Sequence, residues 1–217
     1  MNASNQKWIR GTEFLFLFFG IPLFITLGWQ VRHPVLLLIP VSFGFILYFR
    51  FKKDFRFKSL IHWNIYRKII KLNALIILLA AIFLLLYVWI FERENLFNLP
   101  TKNFRLWLFL CFSYPLFSAS IQELIYRTFI FSRYASLFKN KYILILASSL
   151  AFSFVHIIYY SLISLIFTFL AGLYLSWLYE KTQSMLFTTI VHGLLGDLIF
   201  TIGLGQHFWL NMNQYMG

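Results

Sequence analysis

Seven long apolar runs alternate with short polar segments along the 217 residues. The runs are Phe14–Trp29, Pro34–Phe49, Asn73–Phe91, Phe104–Tyr134, Tyr142–Ile158, Leu162–Tyr179 and Ser184–Leu204. Runs of about 17 to 25 apolar residues are typical of helices that cross a bilayer. The pattern therefore predicts an all-α fold, a polytopic transmembrane helix bundle with about seven spans. Six to eight spans are compatible with the sequence, because the first two runs are short.

The fifth and sixth runs are separated only by Tyr159, Tyr160 and Ser161, with no Gly or Pro between them. A straight helix from Tyr142 to Tyr179 would be about 57 Å long at 1.5 Å per residue. The hydrocarbon core of a bilayer is only about 30 Å thick. The sequence therefore predicts a break in this helix near His156 and the two tyrosines.

The composition supports the membrane interpretation. Sixty per cent of the residues are apolar and 12% are charged, and the mean hydropathy is +0.75. A soluble domain of this size could not bury so much apolar surface, so disordered chains, coiled coils and DNA-binding modules are excluded. The single cysteine, Cys111, lies in an apolar run, so neither a disulfide framework nor a catalytic thiol is predicted.

The net charge of +12 comes from basic residues in the gaps between apolar runs. Alternating spans put 14 basic residues on one side of the membrane and four on the other. The excess of positive charge on cytoplasmic loops predicts a cytoplasmic N-terminus and an external C-terminus in a bacterial or archaeal cell membrane. The segment 50–71 holds eight basic residues and one acid, and we expect it to lie on anionic lipid headgroups, not on nucleic acid.

Several ionisable residues fall inside the apolar runs, where they are costly and usually functional. Glu123 and Arg127 are four residues apart, so they share a helix face and can pair. Measured from the basic ends of their spans, Glu123, His156 and His192 lie about 16, 21 and 15 Å deep at 1.5 Å per residue. Their similar depth on three helices predicts one site. Asp197 is a weaker candidate.

These residue types are compatible with several kinds of site. A glutamate in a low-dielectric interior can act as a general base, and a neutral imidazole can share a proton with water or polarise a carbonyl. Alternatively, Glu123 and Arg127 form a purely structural ion pair. Two histidines and a glutamate can also bind zinc, although the compact H-E-x-x-H motif is absent. A proton-coupled transporter would use similar residues.

Three short motifs resemble those of one family of membrane proteases. They are Gln122-Glu123-Leu124-Ile125-Tyr126-Arg127, Phe152-Ser153-Phe154-Val155-His156 and His192 to Gly196. In order and spacing they are similar to the EExxxR, FxxxH and HxxxN motifs of the CPBP family, also called Abi, which contains CAAX proteases and bacteriocin-processing enzymes. The segments 170–174 and 180–184 look like the third core helix of that family and the turn after it.

The resemblance implies a catalytic helical core at 104–205, preceded by N-terminal spans and the basic loop at 1–103 and followed by a tail at 206–217. It also implies intramembrane hydrolysis of a peptide bond in a membrane-associated substrate, without a cofactor. By this resemblance Glu123 is the base, His156 its partner on the water and His192 the oxyanion donor. Arg127 orients Glu123, and Gln122 positions water or the substrate amide.

Two positions depart from the family pattern. Gln122 stands where the first glutamate is expected, and Gly196 stands where the asparagine is expected. Neither residue can do what the family residue does, since glutamine is no base and glycine has no side-chain donor. The alternative hypothesis is therefore a catalytically inactive member that binds a peptide or a membrane partner.

Overall fold

The computed structural model describes residues 3–28, 38–51, 60 and 67–209. All secondary structure in these ranges is helical, which confirms the predicted all-α fold. The first helices are α1 (Ala3–Leu15), a π-helical turn (Phe16–Gly20), α2 (Ile21–Gly28), α3 (Leu38–Phe51), α4 (Arg67–Phe91) and α5 (Asn98–Lys102). Within the described ranges, six helical stretches are long and apolar enough to cross a membrane: Asn5–Gly28, Arg67–Phe91, Phe104–Leu137, Lys141–Tyr159, Leu162–Thr182 and Met185–Ile202.

Six spans fall within the range that the sequence allows. The remaining predicted run, Pro34–Phe49, overlaps α3, which has 14 residues. Part of that run lies outside the described residues. Most of the basic segment 50–71 and residues 210–217 of the predicted tail also lie outside them.

The helix through the fourth apolar run changes its hydrogen-bonding pattern along its length. Its segments are α6 (Phe104–Ser113), a π-helix (Tyr114–Ala119), α7 (Ser120–Glu123), a second π-helix (Leu124–Phe129) and α8 (Ile130–Tyr134). Asn103 caps its start by accepting a hydrogen bond from the Leu106 N–H at 3.1 Å. π-Helical turns are rare and occur frequently at functional sites. Here they enclose the short α7, which carries Gln122 and Glu123.

The predicted break between the fifth and sixth runs is present. Helix α9 (Lys141–Phe154) tightens into a 3₁₀ turn (Val155–Tyr159), and Tyr160 then adopts a left-handed conformation with φ of 52°. Ser161 begins α10 (Leu162–Thr182), and its side chain accepts from the Ser164 N–H. The chain therefore turns back after His156, and α10 packs along α9.

The last two spans are joined by a tight turn. Gln183 ends α10 in the left-handed conformation, and Ser184 caps α11 (Met185–Ile202). Helix α11 ends at Gly203, whose φ of 120° favours glycine. A Cβ at Gly203 would lie 1.9 Å from the carbonyl oxygen of Asn95, so glycine is also required there by close approach.

Polar contacts hold α1 and the segment after α11 against this bundle. Glu13 on α1 accepts two hydrogen bonds from the Arg133 guanidinium, at 2.6 and 2.8 Å, and Phe14 packs on Tyr134 with ring centroids 5.2 Å apart. His207 follows α11, and its Nε2 is 2.9 Å from the carboxylate of Glu92 at the end of α4. Nδ1 of His207 is 2.9 Å from the Ser161 hydroxyl. The segment that follows α11 is thus tied to the end of α4 and to the α9–α10 break.

Candidate active site

Glu123 and Arg127 form a fully buried ion pair, with Nη1 of Arg127 3.1 Å from Oε1 of Glu123. The Arg127 guanidinium also donates through Nη2 to the carbonyl of Gly172 at 3.4 Å. Its Cζ lies 4.4 Å from the centre of the Phe152 ring. The i, i+4 pairing predicted from the sequence therefore exists, and it joins α7 to α9 and α10. Because one charge neutralises the other, the pair can remain ionised away from water.

His192 on α11 connects Glu123 to a tyrosine. Nδ1 of His192 is 2.8 Å from Oε1 of Glu123, and Nε2 is 3.0 Å from the hydroxyl oxygen of Tyr114. An ionised carboxylate only accepts hydrogen bonds, so we assign the proton to Nδ1. In the neutral ring Nε2 then accepts from the Tyr114 hydroxyl. Glu123, His192 and Tyr114 thus form a continuous hydrogen-bonded chain.

His156 is held differently from His192. Its Nδ1 lies 2.8 Å from the carbonyl oxygen of Phe152, one turn earlier in the chain. A carbonyl only accepts, so Nδ1 carries the proton and Nε2 keeps a lone pair. Within the described part of the chain, Nε2 has no hydrogen-bond partner. The Phe152 ring lies between the two histidines, with centroids 5.0 Å from His156 and 5.4 Å from His192.

A cavity of about 780 Å³ lies between α4, the helix 104–137, α10 and α11. Most of its wall is apolar, and its polar side chains are Ser113, Tyr114, Ser118, Gln122, His156, Tyr159, Thr168, Tyr174 and His192. Phe83, Phe109 and Phe117 also line it, and each is more than half exposed on the outer apolar surface. The cavity wall therefore extends to the exposed apolar face of the bundle.

The predicted site residues occupy different places around this cavity. His156, His192 and Gln122 line it, and the Gln122 amide donates to the Ser118 hydroxyl at 2.8 Å. Glu123 is fully buried and is not among the lining residues. It reaches the cavity through His192, whereas sequence reasoning put Glu123 itself on the water. Asp197 is half-buried, does not line the cavity, and has one buried oxygen without a partner in the described ranges.

Sequence reasoning missed Tyr114 and Ser118, which the cavity exposes next to Gln122. The signal was present, because residues 114, 118 and 122 are spaced four apart and form one polar stripe on an otherwise apolar helix. A polar stripe within a transmembrane span faces the bundle interior or a cavity. A search for polar residues that share one helix face, and not for charged residues alone, would have identified both Tyr114 and Ser118.

The fold and this site define an all-helical membrane protein with a cluster of polar side chains inside its helix bundle. Residues 104–196 match the family model of Rce1-like proteins, described as type II CAAX prenyl endopeptidase Rce1-like. This match confirms the family resemblance, since the matched segment contains all three motifs. No curated protein and no solved structure matches the chain. That description names an endopeptidase, which is a class of peptide hydrolase.

Proposed function

We propose that this protein is an intramembrane endopeptidase that hydrolyses a peptide bond of a membrane-associated substrate. The observation that carries the proposal is that three groups of side chains meet at one cavity. These are His156 with an open Nε2, the amide of Gln122, and the chain from Glu123 through His192 to Tyr114. A base, a hydrogen-bonding amide and a carboxylate-backed imidazole around one apolar cavity suit hydrolysis of an extended peptide.

In this mechanism Nε2 of His156 removes a proton from water as the water oxygen bonds to the scissile carbonyl carbon. The carbon–nitrogen bond then breaks, and His156 returns the proton to the leaving amine. General base and acid catalysis of this kind contributes about 10²- to 10⁴-fold. Gln122 has a second amide hydrogen beyond the one given to Ser118, and it positions the water or the substrate carbonyl.

Glu123 acts through His192 in this mechanism. Its carboxylate fixes the orientation and the tautomer of the imidazole, and Arg127 fixes the carboxylate. This arrangement differs from direct activation of water by Glu123, because Glu123 is enclosed behind the cavity wall. The role that we assign to Glu123 is therefore that of a positioning residue.

The second candidate function is binding without catalysis, and one observation favours it. The acid at the first motif position is replaced by Gln122, which lines the cavity, while the remaining acid, Glu123, is fully buried against Arg127. A membrane-embedded cavity with these features can hold a peptide without cleaving it. The two functions differ in the expected behaviour of the Gln122→Glu variant.

Cleavage by the wild-type protein and by Gln122→Glu separates the two candidates. Purified protein in liposomes is incubated with farnesylated peptides ending in CAAX, with the same peptides lacking farnesyl, and with apolar peptides of membrane-spanning length. We expect the wild type to cleave, because His156 is already open to the cavity. Restoring a carboxylate at position 122 should leave the rate similar or lower it, because an acid there places a second anion beside Glu123. Mass spectrometry of the products measures both.

The matched control is Glu180→Gln, which changes a partly exposed acid near the end of α10 that pairs with Lys141. It is expected to cleave at the wild-type rate. If cleavage occurs only in Gln122→Glu, the natural protein is a binding protein and the proposed function is wrong. If no variant cleaves any peptide, the proposed function is also contradicted.

We further propose that activity does not depend on zinc. A site at His156 and His192 does not fit the metal, since both ring nitrogens of His192 already contact Glu123 and Tyr114. Within the described ranges, no group of three or more His, Cys, Asp or Glu side chains is arranged to hold a metal ion. We expect cleavage to continue after dialysis against a chelator. Metal analysis of active protein that finds one zinc per chain, lost together with activity, would refute this.

The membrane orientation is part of the same proposal. We propose that the N-terminus is cytoplasmic and the C-terminus external, in a bacterial or archaeal cell membrane, on the basis of the basic residues in alternate loops. The segment 50–71 would then bind anionic lipid headgroups on the cytoplasmic face, and the positive charge of the chain would serve this contact and not nucleic acid.

A further inference from the structure

Tyr114 lies over α11 at a point where only glycine leaves room for it. A Cβ added to Gly196 would be 2.0 Å from Cε1 of the Tyr114 ring and 2.8 Å from its hydroxyl oxygen. Next to it, a Cβ at Gly193 would be 2.7 Å from Pro115. The two glycines therefore form a shallow groove on α11, and the π-helix Tyr114–Ala119 packs into it. Any side chain at 196 would displace the tyrosine.

The tyrosine ring is fixed on all sides that face α11. Its centroid lies 5.9 Å from that of His192 and 5.4 Å from that of Phe200, both in edge-to-face geometry. His192, Gly196 and Phe200 are spaced four apart, so they form one stripe of α11. The hydroxyl lies 3.0 Å from Nε2 of His192, and Tyr114 is one of the residues that line the cavity. The phenol is thus oriented before any substrate enters, as electrostatic stabilisation of a transition state requires.

We propose that Tyr114 is a further catalytic residue, the hydrogen-bond donor to the oxyanion that forms during peptide hydrolysis. This inference rests on the endopeptidase function proposed above. This role also explains the glycine at 196, because the absence of a side chain there leaves room for a hydrogen-bond donor from the neighbouring helix. A donor side chain carried by residue 196 itself would occupy the same volume as the Tyr114 hydroxyl, since the Cβ position is 2.8 Å from that oxygen.

The number and position of the hydrogens at the site are compatible with this role. The hydroxyl has one hydrogen, which Nε2 of His192 accepts in the resting state. When the water oxygen bonds to the scissile carbon, the carbonyl oxygen becomes an anion and shares this hydrogen in a three-centre bond. No proton leaves the tyrosine, so its role is stabilisation only. Removing one oxyanion donor typically lowers kcat by about 10²- to 10³-fold.

The experiment compares Tyr114→Phe with Tyr126→Phe on the peptide that the wild type cleaves best from the pool described above. Tyr126 is also buried and lies on the same long helix, but it does not line the cavity. We expect Tyr114→Phe to lower kcat by about 10²- to 10³-fold with KM changed less than about threefold. Tyr126→Phe should retain the wild-type kcat. Phenylalanine keeps the ring that packs on Gly196, so the melting temperature should change little.

A second pair of variants tests whether a donor carried by residue 196 can take the place of the Tyr114 hydroxyl. Tyr114→Ala removes the ring and should lose activity, and Tyr114→Ala/Gly196→Asn places an amide where the hydroxyl was. We expect the double variant to exceed Tyr114→Ala by about tenfold or more. If the wild type cleaves and Tyr114→Phe has an unchanged kcat, the proposed role of Tyr114 is wrong and the endopeptidase function stands. The same conclusion follows if the double variant is no more active than Tyr114→Ala. A wild-type protein that cleaves none of the peptides overturns the endopeptidase function and this inference together.

Discussion

Replacement of Glu123 by alanine is expected to abolish peptide cleavage and to lower the free energy of unfolding by about 3–5 kcal/mol. Both effects have one cause. The substitution leaves the fully buried Arg127 guanidinium without its counter-charge and leaves His192 without the acceptor of its Nδ1–H. The measurement is the cleavage rate in liposomes together with the thermal melting of the detergent-solubilised protein.

Stability and activity can be separated by removing both charges. Glu123→Leu/Arg127→Met replaces the pair with apolar side chains of similar size, which is often neutral for stability when no buried charge remains. We expect this double variant to melt near the wild-type temperature and still fail to cleave, because His192 is no longer oriented. Cleavage at the wild-type rate by the double variant would mean that the ion pair only holds the helices together.

Replacement of His156 by glycine is expected to lower kcat by about 10²- to 10⁴-fold, the usual contribution of a general base. His156 lines the cavity and keeps a lone pair on Nε2, and its other ring nitrogen is held by the Phe152 carbonyl. Loss of the ring leaves a space next to a large apolar cavity. Imidazole added at millimolar concentration should therefore enter and restore part of the rate.

The rescue distinguishes catalysis from a structural role. Imidazole added to the wild-type protein is the control and should change its rate little. A His156→Gly variant that is folded, inactive and not rescued by imidazole contradicts the role of general base. A variant that cleaves within about threefold of the wild type contradicts it more directly.

The helical fold could be predicted from the sequence because the bilayer imposes it. Within lipid, every backbone hydrogen bond must be satisfied inside the segment, so long apolar runs form helices. The break after His156 followed from length alone, and the turn at Tyr160 and Ser161 confirms it. The sequence allows six to eight spans, because short runs such as Pro34–Phe49 lie near the lower limit of crossing length.

Part of the candidate site could also be predicted. A charge within an apolar run is expensive, so Glu123, Arg127, His156 and His192 stand out from the sequence, and the spacing of the first two fixes their pairing. Their similar depth predicts one region, and His156 and His192 line the same cavity. These conclusions depend only on helical periodicity and on the cost of burying charge.

The tertiary structure alone decided which of these groups faces the cavity. Glu123 and Gln122 project about 100° apart on one helix, and only packing against α9, α10 and α11 buries Glu123 and leaves Gln122 on the cavity wall. The contact of Tyr114 with Gly196 joins residues that are far apart in the chain, so no local pattern could reveal it. The sequence by itself determined that there are helices, that they cross a membrane and that charges lie within them. The relative rotation of those helices determined which atoms meet, because rotation is set by side-chain packing between segments and not by the hydrophobicity of any one of them.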